Sequence, residues 1–214
     1  MKKIGIIGSG AVARTLGNGF IKHGYEVRLG TRDKAKLAEW QAQAGEKASV
    51  GTFSEAAFFG DIVVLAVKGH AAKDALALAE QKHLDGKTII DTCNPIAGPP
   101  VNGVLPYFTA VNTSLMEELQ ALYPDAHFVK CFNSVGSPAM VNPEYLGGKP
   151  TMFICGNDGA AKAEVSQILE YFGHEPCDMG GAEAARAVEA LCMLWCIPGF
   201  RENSWTHAFK LLRK

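Results

Sequence analysis

Short apolar runs alternate along this chain with longer stretches in which apolar side chains recur every three or four positions. The runs Ile4–Ile7, Glu26–Leu29, Asp61–Val67, Thr88–Ile90, His127–Lys130 and Thr151–Ile154 read as strands. A weaker strand is expected near Ser49-Val50 and a short edge strand at Glu175–Asp178. Helical spacing marks Val12–Ile21, Asp33–Gln43 (with Asp33 as its cap), Ser54–Phe59, Ala71–Glu80, Ser114–Leu122 and Gly159–Phe172. Ala182–Ile197 reads as a last helix, stopped by Pro198-Gly199. Two long irregular connections are expected, one from Asn94 through Gly103 and one from Asn133 to Pro150. Continuous apolar strands separated by helices imply a sheet covered on both faces, with parallel pairing and right-handed crossovers. The fold class is therefore α/β. A doubly wound, mostly parallel Rossmann sheet should occupy residues 1–178, with a short C-terminal helical element over residues 179–214.

Composition supports a packed domain and narrows the partners. The chain has 214 residues, 48% of them hydrophobic, which suffices for a sizeable core. A formal net charge of −1 offers no basic field for nucleic acid or an anionic membrane surface. No apolar run approaches the roughly 20 residues that span a bilayer. The basic and apolar start, Met1 to Gly8, is too short for a leader and breaks at glycine, so a cytoplasmic protein is expected. Six cysteines stand without metal-ligand spacing and read as reduced, buried thiols, with no metal site.

The chemistry concentrates at the first strand. Gly8-Ser9-Gly10-Ala11-Val12-Ala13 matches G-x-G-x-x-A between a strand and a helix. Gly8 allows a tight turn, Gly10 lets a pyrophosphate approach the backbone, and Ala13 lets the helix lie close to the strand. The free N–H groups of the helix start favour phosphate. The second strand ends in Thr31-Arg32, where a carboxylate would accept the 2′-hydroxyl of NAD. A guanidinium suits a 2′-phosphate instead, and Lys36 lies one turn further on, so the cofactor is NADP. Val67-Lys68-Gly69-His70, Asn94 and Ser137 sit at other strand ends and should line the same crevice near a flat nicotinamide ring. Lys68 and His70 touch phosphate, ribose or substrate, or else face solvent. His23, His83, His127, His174 and His207 read as surface or helix-end residues. No side chain stands out as catalytic.

With those residues in hand, the chain resembles the NADPH-dependent coenzyme F420 (deazaflavin) reductase family. It is also similar to the cytosolic oxidoreductase domain of the six-transmembrane epithelial antigen metalloreductases. The carriers are Gly8–Ala13, Gly30–Arg32, Asp61–Val67, Lys130–Pro138 and Ala185–Glu189. The resemblance implies that Ser9, Gly10, Ala11 and Val12 contact pyrophosphate and that Thr31, Arg32 and Lys36 hold the 2′-phosphate. It places Gly69 and Ser137 near the nicotinamide. The family's deazaflavin enzymes commonly carry Pro-Trp where this chain has Lys68-Gly69, which leaves the acceptor open. No membrane segment follows, so a complete transmembrane metalloreductase is not expected. A weaker likeness to pyrroline-5-carboxylate reductase is confined to the Rossmann half.

Hydride transfer between NADPH and a small redox acceptor, a flavin or coenzyme F420, needs ring placement rather than a side-chain acid. The alternatives are a non-catalytic NADP(H) sensor and a small-substrate dehydrogenase. A homodimer is expected, because Leu191, Met193, Leu194, Trp195 and Ile197, together with Trp205, Phe209, Leu211 and Leu212, are hard to bury in one small domain.

Overall fold

The computed structural model describes residues 2–214. In chain order its strands are β1 (Lys3–Ile7), β2 (Glu26–Gly30), β3 (Ala48–Gly51), β4 (Ile62–Leu65), β5 (Thr88–Asp91), β6 (His127–Lys130), β7 (Thr151–Ile154) and β8 (Glu175–Asp178). The helices are α1 (Ala11–Lys22), α2 (Ala38–Ala44), α3 (Phe53–Phe59), α4 (Ala72–Ala79), α5 (Leu115–Leu122), α6 (Gly159–Tyr171) and α7 (Ala185–Glu202). Six strands form one parallel sheet in the order β3-β2-β1-β4-β5-β6, the doubly wound arrangement expected. β7 and β8 form a separate parallel pair, tied to β6 by a single antiparallel bridge between Lys130 and Cys155.

The apolar strands are continuous because both faces are covered. Ile62 and Val64 of β4 join Ile4, Leu16 and Phe20 in one core, while Val63 and Leu65 join Leu76, Ile89 and Leu119 in another. A smaller third cluster gathers Leu105, Cys192, Trp195 and Cys196, with Tyr107 and Phe209 against them. Through it the C-terminal tail packs on its own chain: the Thr151 N–H donates to the Phe209 carbonyl, and the Leu211 N–H to the Thr151 hydroxyl. This removes Trp195 and much of Phe209 from the surface on which a homodimer was expected; Leu194, Phe200 and Leu212 stay exposed.

A buried charge cluster holds the layers together. The Lys130 ammonium, with no exposure, lies 2.7 Å from Asp91 Oδ2 and 2.8 Å from Glu189 Oε1, and donates to the Cys93 carbonyl at 2.8 Å. Glu189, on α7, also accepts from the Leu115 and Met116 N–H groups, and Ser114 Oγ accepts from Glu117 N–H. The first turn of α5 is thus capped by a carboxylate from another helix. Burial alone would pull the Lys130 pKa down; attraction to Asp91 and Glu189 outweighs it and holds the group above the ordinary lysine value.

Three expectations are corrected. α7 does not stop at Pro198 but runs to Glu202, ending where Asn203 takes a left-handed conformation (φ 53°). The carbonyl that loses its partner to Pro198 is that of Leu194, on the exposed side of the helix, where the loss is tolerable. The connection after Asn94 is not irregular throughout: Val101 and Val104 pair around Asn102-Gly103, both with positive φ, and Ile96 pairs with Tyr107. That is a two-residue hairpin turn carried by an Asn-Gly pair. His174 is not a surface residue. It is buried, its Nε2 lies 3.0 Å from the Met140 carbonyl, and its ring meets Phe132 edge-on.

Two predictions follow from these buried groups. Lys130→Met leaves two carboxylates unmatched and should cost about 3–5 kcal/mol in urea unfolding, partly recovered by adding Glu189→Gln. A loss below about 1 kcal/mol would refute the cluster's role. Burial lowers the His174 pKa, with the Met140 hydrogen bond opposing, so the folded state resists protonation. Stability should therefore fall as pH drops below about 6.5, where the unfolded chain takes up the proton. His174→Phe should flatten that acid limb, and unfolding midpoints at several pH values will show equal slopes if the assignment is wrong.

Candidate functional site

The sheet reverses strand order between β1 and β4, and the loops at the carboxyl ends of the strands meet there. Gly8 (φ 146°) ends β1 against β4: a Cβ there would lie 2.2 Å from the Ala66 carbonyl oxygen, and its N–H donates to Gly30. Gly10, the N-cap of α1, differs in kind. A Cβ at Gly10 would meet nothing within 4 Å, and no side chain caps the helix. Protein packing therefore does not require glycine at position 10. The open backbone and free first-turn N–H groups fit a pyrophosphate, as a dinucleotide would present. Ser9 and Val12 are half-buried and Ala11 exposed around this cradle, and Ala13 is buried under it.

At the end of β2 the structure separates the expected residues. Thr31 is buried and its hydroxyl is held by the backbone of Asp33, while Asp33 Oδ1 accepts from the Ala35 N–H. Thr31 thus shapes the turn. Arg32 and Lys36 are exposed, and among the described residues neither side chain has an ionic partner; Lys34 between them pairs with Glu55. Two free cations at the start of a helical turn oppose its dipole, an arrangement that an anionic ligand relieves.

Around the other half, Val67 is half-buried, Lys68 and His70 are exposed, and Gly69 is buried against Asn94. Asn94 Nδ2 donates to the Asn133 carbonyl at 3.2 Å, and Asn133 Nδ2 donates to the Val188 carbonyl at 2.6 Å. The side-chain oxygens of both asparagines are buried without a partner. Orphaned acceptors at the ends of β5 and β6 suit an amide donor such as a nicotinamide carboxamide. Phe132, next to Asn133, has a left-handed backbone (φ 58°), strain of the kind found near functional loops. Ser137 is half-buried at the head of the turn Ser137–Ala139. Two clefts flank these loops, one of about 410 Å³ by Gly69, His70 and Phe108, and one of about 730 Å³ by Gly136, Ser137 and Trp205.

Sequence reasoning placed Asn133 at a strand end by the crevice but assigned no role to Asp91, Lys130 or Glu189. The signal was present in three charged residues at apolar positions: Lys130 ending a strand, Asp91 after Ile89-Ile90, and Glu189 beside Val188 on the last helix. Cys93, Cys131 and Cys155 lie nearby, but burial raises all three thiols, which keeps them protonated.

A family model for coenzyme F420-dependent NADP oxidoreductases matches residues 3–95. Metalloreductase STEAP3 of Rattus norvegicus is 30% identical over 189 residues, which cover 88% of this chain and 36% of that protein. The chain therefore spans about a third of the length of this curated relative. A candidate F420-dependent NADP reductase from Arthrobacter sp. FB24 has the same fold (TM-score 0.92), is 32% identical, and both chains are covered completely. Pyrroline carboxylate reductase of Plasmodium falciparum, solved with NADP bound, is 16% identical (TM-score 0.56) over 83% of this chain and 57% of its own. That likeness shows the fold alone.

The contrast between Gly8 and Gly10 is testable. Gly10→Ala should change stability by no more than about 1 kcal/mol yet weaken NADPH binding at least about tenfold, measured by calorimetry. Gly8→Ala should destabilise the fold itself, since Ala66 leaves its side chain no room. Unchanged NADPH affinity in folded Gly10→Ala would take the cradle out of the site. Full coverage of a 32% identical candidate reductase, with the family match over five of the six strands of the sheet, places the chain: it belongs to the coenzyme F420-dependent NADP oxidoreductase family.

Proposed function

We propose that the chain transfers hydride between NADPH and a flavin or deazaflavin ring. The observation that carries this reading is the fate of its buried charges. Lys130, Asp91 and Glu189 lie just behind the strand ends, but they saturate one another and the first turn of α5. None is free to move a proton to a substrate, so chemistry that needs a buried general acid finds no candidate among them. Ring-to-ring hydride transfer asks only for alignment, with donor and acceptor carbons about 3–3.5 Å apart. Bound NADPH supplies a hydride from its nicotinamide C4, and the acceptor takes it with one proton from water, leaving NADP⁺. The Gly8–Val12 turn holds the pyrophosphate, Arg32 and Lys36 the 2′-phosphate, and Val67–His70, Asn94 and Ser137 bound the nicotinamide half.

Metal reduction is named for STEAP3, of which this chain matches about a third, so ferric chelate enters as a competing acceptor. NADPH oxidation followed with flavin, deazaflavin, ferric chelate and no acceptor should show dependence on the ring compounds. Oxidation driven by ferric chelate alone, or by none of them, would refute the reading. Arg32→Ala should erase most of an NADPH-over-NADH preference of about 10- to 100-fold, the worth of one charge-assisted contact. NADH affinity should barely change, because the 2′-hydroxyl never used the guanidinium. Equal affinities of the native protein for both cofactors, measured by calorimetry, would show that Arg32 has another role.

A further inference from the structure

The larger cleft, about 730 Å³, lies beside the loop after β6 and is walled by aromatic side chains. Gly136 and Ser137 line it together with Glu144, Tyr145, Trp195 and Trp205. Trp205 comes from the tail beyond α7 and is fixed from several sides. Its ring centroid lies 5.7 Å from that of Trp195 and 5.2 Å, edge-on, from that of Phe200. Its Nε1 donates to Asn203 Oδ1 at 3.1 Å, and Gly199 lies directly beneath the ring. Trp195 is held in turn: its Nε1 donates to the His207 carbonyl at 2.9 Å, and the His207 ring stacks on it at 5.0 Å. These rings form a wall whose outermost member, Trp205, stays 39% exposed.

Resting on the hydride-transfer reading, we infer that this cleft is the acceptor subsite and that it takes an uncharged planar aromatic ring stacked against Trp205. Stacking on a preorganised indole costs little ordering entropy and tolerates any flat heterocycle. Charge selects among them. Glu144 is the one acidic or basic side chain lining this cleft, exposed and without an ionic partner among the described residues. The smaller cleft on the other side is edged instead by His70 and Lys73, with Lys73 paired to Glu118. A ring carrying a phosphate meets a carboxylate in the first cleft and the Lys73 ammonium in the second. The acceptor is therefore a free flavin rather than a phosphorylated one. Its reduction consumes the hydride from NADPH and one proton from water.

Flavin fluorescence anisotropy, measured without NADPH, tests the subsite apart from catalysis. The native protein should bind riboflavin more tightly than FMN. Trp205→Ala should weaken riboflavin binding about 5- to 150-fold, the range for losing one stack on an aromatic side chain. Trp205→Phe should retain most of it, and both variants should keep native NADPH affinity. Glu144→Lys should bring FMN up to riboflavin. In turnover, Trp205→Ala should raise the riboflavin KM with little change in kcat. Tighter FMN binding that Trp205→Ala leaves untouched would move the acceptor to the His70 and Lys73 cleft and overturn the proposal. So would equal loss of NADPH and riboflavin binding, which makes Trp205 a structural residue, or the absence of riboflavin binding. Failure of the hydride-transfer reading looks different: no acceptor-dependent NADPH oxidation, whatever the flavin binding.

Discussion

A lysine ammonium enclosed between strands and helices must be matched at once, and Lys130 is matched by Asp91 on the neighbouring strand and Glu189 on α7. An excess of one negative charge remains, and backbone dipoles absorb it: the Cys93 N–H on Asp91, and the Leu115 and Met116 N–H groups on Glu189. Much else hangs on this arrangement. It fixes α7 to the sheet, caps α5, and sets where the loop after β5 begins. Replacing the cluster with apolar groups could hold similar stability, but it would lose the directional bonds that specify which helix meets which strand.

The same cluster explains the character of the crevice. Behind the strand ends, charge is saturated and rigid; in front, the polar atoms are few and incompletely paired. Gly10 faces open space, Asn94 and Asn133 have unsatisfied oxygens, and Arg32 and Lys36 stand without counter-ions. Unpaired groups cost stability in a protein alone and are recovered when a complementary ligand binds. Their order along the strand ends, from cations through bare backbone to amide acceptors, matches phosphate, pyrophosphate and carboxamide on one dinucleotide.

The tail after Glu202 plays a part out of proportion to its length. It returns along β7, lays His207 on Trp195, and presents Trp205 at the rim of the cleft by Ser137. A small α/β domain thereby gains a second wall from about a dozen residues rather than from a separate domain. The aromatic rings suit that role because they give large contact area with few rotatable bonds.

Local periodicity carried most of the architecture. Strands buried on both faces, such as Ile4–Ile7 and Ile62–Leu65, have no polar alternation, and the glycine turn after the first of them can be read from one dimension. The NADP-dependent family was legible for the same reason, since the glycine turn after β1 is a local pattern of backbone and sequence. Features that depend on distant partners were not legible. Pro198 stays inside α7 because the carbonyl it deprives lies on an exposed side, and His174 is buried because Met140 and Phe132 come to meet it. Asp91, Lys130 and Glu189 look like three misplaced charges until the fold brings both carboxylates within 3 Å of a single ammonium. Sequence determined the sheet, the turn and the taste for a phosphorylated dinucleotide, which are local properties of backbone and pattern. Tertiary structure alone decided which buried charges cancel and which clefts remain, because both are set by contacts between different strands, helices and the tail rather than within one element.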